Sequence, residues 1–179
     1  MHLSGMGIER LKEKLEEYFP YSQVESIDRD SLKNSKELSI ALEKVRKGES
    51  KLIIGTVMIS KGHNFPKLKT VIIKFADYLL NFSDYKAAEK CFQTINQVAG
   101  RAGRFDQTGE VFAEASKEDH YIWKYIKNND YDGFANEELM WRKMMMFPPY
   151  THLCTVRIIS AKQEKTDRKA DEVYSFLKK

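Results

Sequence analysis

The chain is poor in cysteine. It holds two in 179 residues, Cys91 and Cys154, far apart and with no second cysteine nearby. That spacing excludes a zinc ribbon or a Cys-x-x-Cys redox pair, and both thiols read as reduced, half-buried core residues. No apolar run approaches the ~20 residues needed to span a bilayer. Residues 1–17 carry no apolar stretch of signal-peptide type, so the expected setting is cytoplasmic, with no membrane partner. There is no G-x-x-x-x-G-K-[ST] phosphate loop, so the residues that would cradle a nucleotide's phosphates are not here. Internal repeats and low-complexity tracts are absent as well. The charge excess is small, +4, and the basic residues are scattered. A solvated surface accounts for them, and a nucleic-acid partner is only weakly indicated. What is present is 42% hydrophobic and 31% charged residues, a balance that builds a packed core rather than a disordered chain.

Periodicity places the elements. Ile8, Leu11, Leu15 and Phe19 recur at helical spacing and predict a helix over Ile8–Phe19, ended by Pro20. Gln23–Ile27 reads as a strand followed by a polar turn, Asp28–Ser31. Lys36–Lys47 reads as a helix with Gly48 as its stop. Leu52–Thr56 is a short apolar run of the kind found in buried parallel strands. A loop, Val57–Leu68, leads to a strand over Thr70–Phe75. A long helix is expected over Ser83–Ala99, with Tyr85, Ala88, Phe92 and Ile95 inward and Asp84 favourable near its start. A strand over Gly109–Ala113 and helices over Lys117–Lys127 and Phe134–Met145 follow. Alternating strands and helices point to an α/β fold with parallel strands. In such sheets ligands gather at the carboxyl ends of strands, and the loops after Ile27, Thr56 and Phe75 leave there. Pro148-Pro149 cannot continue a helix and marks a boundary. Beyond it a strand over His152–Ile159 and a helix over Gln163–Lys179 are expected. They are too little to bury a core of their own, so the chain is expected to stop inside a further domain. The Met144–Phe147 run is expected to pack at that junction.

The chemically distinctive stretch is Gln97-Val98-Ala99-Gly100-Arg101-Ala102-Gly103-Arg104. Its two arginines lie three apart, on one face if the segment is helical, each preceded by a glycine that lets another surface approach. A planar, always-charged guanidinium fork suits a polyphosphate. The simpler alternative is a helix C-terminus with cationic capping and a glycine stop. Gln97 lies four before Arg101, and Thr56-Val57-Met58-Ile59-Ser60-Lys61-Gly62-His63-Asn64-Phe65-Pro66 lies upstream.

Together these stretches resemble the last two motifs of the second motor lobe of superfamily-two helicases. With Gly5–Leu11, Ile27–Asp30, Asp84–Lys90 and Pro148-Pro149 in the same order, the chain is similar over nearly its whole length to the PriA family of primosomal replication-restart helicases. The resemblance implies a RecA-like three-layer lobe at residues 1–147, with a mostly parallel sheet flanked by helices. Residues 148–179 would open the family's C-terminal domain as a truncated β–α extension. It implies an ATP-dependent 3′–5′ DNA helicase acting at stalled forks, with ATP and Mg2+ bound mainly by a first lobe. The family's zinc-binding cysteines are not in this sequence. Single-stranded-DNA-binding protein and primosome proteins are the implied partners besides branched DNA and single strands.

Residue by residue, the resemblance makes Arg104 an arginine finger, Arg101 its companion and Gln97 a group positioning the γ-phosphate or attacking water. Asn64, Gly62, Gly100 and Gly103 would border the nucleotide. Thr56 and Lys61 would contact DNA phosphates, while Pro66 would fix the loop exit. For each there is a plainer account: a strand-end threonine, a solvated lysine, an exposed helix glutamine. His63 reads as structural or exposed, and Asp28 and Asp30 as an Asx-turn. Tyr78, Phe82 and Tyr85 could stack on bases or belong to the core. Three positions depart from the family: Ile8 replaces Thr, Asn64 replaces Asp and Lys86 replaces Arg. Two other readings remain open: a double-stranded-DNA translocase of the RecG type, or a DNA-binding module without enzymatic activity.

Overall fold

A computed structural model describes residues 4–19, 23–27, 35–57, 65, 67–102 and 109–178. The chain divides into two compact units, Met1–Glu138 and Leu139–Lys179.

The first unit begins with α1, Ser4–Glu16. This helix starts and ends earlier than its apolar spacing predicted. Tyr18 and Phe19 form a closing turn, each donating its N–H to the Leu15 carbonyl. Strand β1, Val24–Ile27, is followed by α2, Ser35–Lys47, and β2, Leu52–Gly55. Gly48 stops α2 at φ +79, the left-handed conformation that a glycine takes without cost. β1 and β2 pair in parallel, Val24 opposite Leu52 and Ile27 opposite Gly55. A parallel pair needs a crossover, which α2 supplies. Glu25 on β1 ties the unit together: Lys44 Nζ lies 2.8 Å from its carboxylate and Ser50 donates to the same oxygen.

The second half repeats the pattern. β3, Thr70–Ile73, and β4, Glu110–Ala113, pair in parallel, Thr70 opposite Glu110 and Ile73 opposite Ala113. The crossover is α3, Ala87–Ala99. α3 starts four residues later than expected. Ahead of it the chain makes a 3-10 turn, Tyr78–Asn81, and Asp84 accepts the Lys86 N–H at 2.9 Å, fixing a turn where helix was expected. α4, Ile122–Lys127, and α5, Tyr131–Met144, follow. The α4 expectation began at Lys117, but residues 116–121 form turns. Among the described residues the strands form two separate two-stranded pairs rather than one continuous sheet. The fold is α/β with parallel pairing throughout, as expected.

One core cluster of this unit is Ala76, Cys91, Phe92, Ile95, Ile122 and Phe134, and Val24, Ile27 and Ile54 are buried on β1 and β2. The Phe92 and Phe134 rings lie almost parallel, 4.2 Å apart. α3 buries the face that its sequence pattern indicated, with Cys91 added to it. Asp130 starts α5 by accepting the Gly133 N–H at 2.8 Å, as an N-cap carboxylate does.

The second unit holds the end of α5, the Pro148–Pro149 bend with its cis bond, and α6, Gln163–Leu177. Thr151 Oγ1 donates to the Met146 carbonyl and closes the turn after α5. The strand expected over His152–Ile159 is not formed: these residues pair with no strand among the described residues. Loose apolar alternation suggests a strand, but a strand exists only with a partner for its N–H and C=O groups. Leu153, Val156 and Ile159 are correspondingly exposed, and so are Met144, Met145 and Met146, against the expectation that they pack. Cys154 is exposed, whereas Cys91 is fully buried.

Candidate functional site

The structure places the sequence-predicted residues at two points of the first unit. Thr56 follows the last residue of β2 and is half-buried. Because Ile27 and Gly55 are register partners in a parallel pair, the carboxyl ends of β1 and β2 lie side by side. Lys61, Gly62, His63, Asn64 and Pro66 lie outside the described residues, as do Asp28 and Asp30.

Gln97, Gly100 and Arg101 sit at the end of α3. Gln97 lies in its last turn and is half-buried. The helix ends at Ala99, so Arg101 is not on a helical face as its spacing suggested. The chain continues in tight turns, Arg101 N–H to the Val98 carbonyl at 3.1 Å and Ala102 N–H to Ala99 at 3.0 Å. Gly100 takes φ −64, so it is not a left-handed stop. A Cβ there would meet the Asn96 carbonyl oxygen at 3.2 Å, and the close turn is the reason for glycine. Arg101 is half-buried, with its Nε shielded from solvent. Gly103 and Arg104 lie outside the described residues.

A guanidinium in the turn that follows a helix offers directed donors for phosphate oxygens. Metal ligation is a different matter: among the described residues no group of three or more His, Cys, Asp or Glu is placed to hold an ion.

A third cluster follows β3, and the sequence pointed to part of it. Tyr78 and Phe82 are exposed, their rings edge to face with centroids 5.2 Å apart. Tyr85 is half-buried beneath Lys86, whose ammonium lies 5.4 Å from the ring centroid. Asp84 accepts from Lys90 Nζ as well as from the Lys86 N–H, and these two partners hold its carboxyl below the usual range, the Lys90 bond contributing most. Sequence reasoning missed two members. Phe75 is exposed and has φ +53; its only signal was an aromatic directly after a charged strand end. Asp77 is buried and accepts the N–H groups of Ser116 and Lys117, both at 2.9 Å. No local pattern announces a bond across that length of chain.

A polar hollow lined by Glu118, Asp119, His120, Trp123, Lys124 and Asn128 holds none of the predicted residues. Burial and the Lys117 charge lower the His120 pKa, against the pull of Glu138 and Glu137.

Residues 6–106 match the helicase conserved C-terminal domain, an interval that holds both motif stretches, both parallel strand pairs except β4, and α3. The chain belongs to the helicase C-terminal domain family. Its α/β architecture with parallel strand pairs is that of a RecA-like helicase lobe. The same chain is 35% identical over 174 residues to the replication restart protein PriA of Haemophilus influenzae, covering 97% of this chain and 24% of that protein. Identity to the Bacillus subtilis PriA is 32% over 174 residues, covering 97% and 22%. For the Thermotoga maritima PriA it is 34% over 172 residues, covering 96% and 23%. The chain thus spans about a quarter of the length of the curated relatives it matches. Among the described residues no helix is long and apolar enough to cross a membrane.

Proposed function

We propose that this chain is the second motor lobe of an ATP-dependent DNA helicase that acts in replication restart. The observation that carries the reading is the helicase C-terminal match over residues 6–106, with Gln97 in the last turn of α3 and Arg101 in the turn after it inside that interval. Residues 1–147 are the lobe and residues 148–179 open a second domain. ATP and its magnesium ion bind mainly to a separate lobe, and this lobe closes over them. Arg104 is the arginine finger, with Arg101 beside it. Electrostatic stabilisation of the transferring phosphoryl group is what such a residue contributes. Gln97 orients the γ-phosphate or the attacking water, and Asn64, Gly62, Gly100 and Gly103 border the nucleotide. Thr56 and Lys61 grip DNA phosphates, which gives the sequence-independent hold that a translocating motor needs. The motor runs 3′–5′ in the cytoplasm, on forks and single strands, beside single-stranded-DNA-binding protein and primosome proteins. The lobe by itself does not hydrolyse ATP.

The test is Arg104→Ala in the full-length protein that carries this lobe. DNA-stimulated hydrolysis falls by roughly 10³-fold or more, as for other arginine fingers. Arg104→Lys rescues little, because an ammonium lacks the planar fork. Fork binding without nucleotide and the melting temperature are unchanged. Normal hydrolysis with lost fork binding reassigns Arg104 to DNA, and loss of all three makes it structural.

A further inference from the structure

We infer that Phe75, Tyr78 and Phe82 form a base-stacking platform for single-stranded DNA at the carboxyl end of β3. The inference rests on the reading of the chain as a DNA motor lobe and adds a recognition surface to it. The three rings belong to one short segment. Tyr78 donates its N–H to the Phe75 carbonyl at 3.0 Å, and Phe82 donates to Leu79 at 3.4 Å. The segment is rooted from below. Leu79 and Leu80 pack against the core cluster, and the Asp77 carboxylate is fixed by the Ser116 and Lys117 amides. With the leucines turned inward, the aromatic rings turn outward: Phe75 is 67% exposed, Tyr78 58% and Phe82 51%. Phe75 reaches this position at φ +53, a conformation that a bulky residue rarely adopts and that the surroundings must enforce. The edge-to-face pair of Tyr78 and Phe82 leaves a ring face open.

The surrounding charge selects the occupant. Three acidic groups here are engaged: Glu114 with Lys74, Asp84 with Lys90, and Asp77 with two backbone amides. Lys86 and Lys117 add two further ammonium groups beside the turn, Lys86 acting on the Asp84 carboxylate together with Lys90. Lys86 lies over the Tyr85 ring, and the Lys117 ammonium reaches the Leu80 carbonyl on the turn itself. Exposed flat rings with ammonium groups beside them fit a strand whose bases are unstacked and whose backbone is anionic. Duplex DNA hides its base faces and does not engage the rings.

The test uses the 179-residue chain and a fluorescent oligothymidylate, with a blunt duplex as control, read by anisotropy at fixed salt. Tyr78→Ala and Phe82→Ala each weaken single-strand binding by about five- to hundredfold, with duplex binding unchanged. Tyr78→Phe keeps the ring and the affinity. Tyr78→Leu keeps apolar bulk without a flat ring, so it folds and loses affinity. Lys117→Gln lowers the slope of log affinity against log salt by about 0.7. Unchanged affinity in folded ring variants overturns the platform and leaves the motor-lobe reading standing. Equal loss on single strand and duplex overturns it in favour of general phosphate grip. Self-association of the wild type that the same variants abolish reassigns the patch to a second copy of the chain. Failure of the wild type to bind the oligomer overturns the platform too, and the lobe reading is then judged by the hydrolysis test alone.

Discussion

Removing the Asp77 carboxylate should unfasten two loops at once. One of its oxygens accepts the N–H groups of Ser116 and Lys117, each at 2.9 Å, and so joins the segment after β3 to the segment after β4. A hydrogen bond to an ionised acceptor contributes ~1.5–3 kcal/mol. Asp77→Ala removes both bonds and leaves no replacement, so the expected loss is about 3–5 kcal/mol. That is a large share of the ~5–15 kcal/mol that holds a domain folded. Asp77→Asn keeps an acceptor without charge and should lose about 1–2 kcal/mol. Urea unfolding in a Trp141→Phe background reads the effect directly. Trp123 donates its indole N–H to the Lys117 carbonyl at 2.6 Å, so it reports on the residue that Asp77 restrains. Cys91 supplies a second signal. Burial, reinforced by the Asp77 charge, pushes its thiol up to about 12, and release of the loop should expose it to thiol reagents. A change below ~0.5 kcal/mol in Asp77→Ala, with Cys91 still protected, would refute the reasoning.

Three further outcomes are expected. His120 has its pKa lowered from 6.5 on folding, so the unfolded chain takes up its proton first as pH falls. Stability should therefore decline as pH drops below about 6.5, and His120→Gln should flatten a melting curve series over that range; an unchanged slope counts against it. Gly133→Ala places a Cβ 2.1 Å from the Asp130 carboxylate and 2.6 Å from the Tyr125 ring, so it should displace the cap and cost about 1–2 kcal/mol, whereas Gly7→Ala in α1, with nothing within 4 Å, should stabilise by about 0.5–1 kcal/mol. Both are read as melting-temperature shifts of opposite sign. At neutral pH a thiol reagent should label exposed Cys154 at once and buried Cys91 only on unfolding; two fast equivalents would show that the core around Cys91 is open.

Local chemistry explains which parts of the molecule were legible in advance. Leu52–Gly55 and Thr70–Ile73 are short, mainly apolar runs alternating with helices, the pattern of buried parallel strands, and both pair in parallel. Phe92 and Ile95 announced the inner face of α3 by their spacing alone. The start of α3 was not legible, because Asp84 bonds to the Lys86 amide and settles the contest between turn and helix in favour of turn. His152–Ile159 carried a strand pattern without a strand, since pairing depends on a partner that no alternation can reveal. At the candidate site, the Gln97–Arg101 spacing suggested one helical face, but α3 stops at Ala99 and tight turns carry Arg101 onward. Asp77 and Phe75 escaped notice because one depends on amides far along the chain and the other on a left-handed turn.

The parallel pairing of β1 with β2 and of β3 with β4 bears on how the protein emerges from the ribosome. Each strand finds its partner just across one crossover, Val24 with Leu52 and Thr70 with Glu110. The first pair and its helix are complete before the residues of the second have been synthesised. Vectorial synthesis can then close one β–α–β loop at a time, so the entropy of long-range closure is met in two small steps.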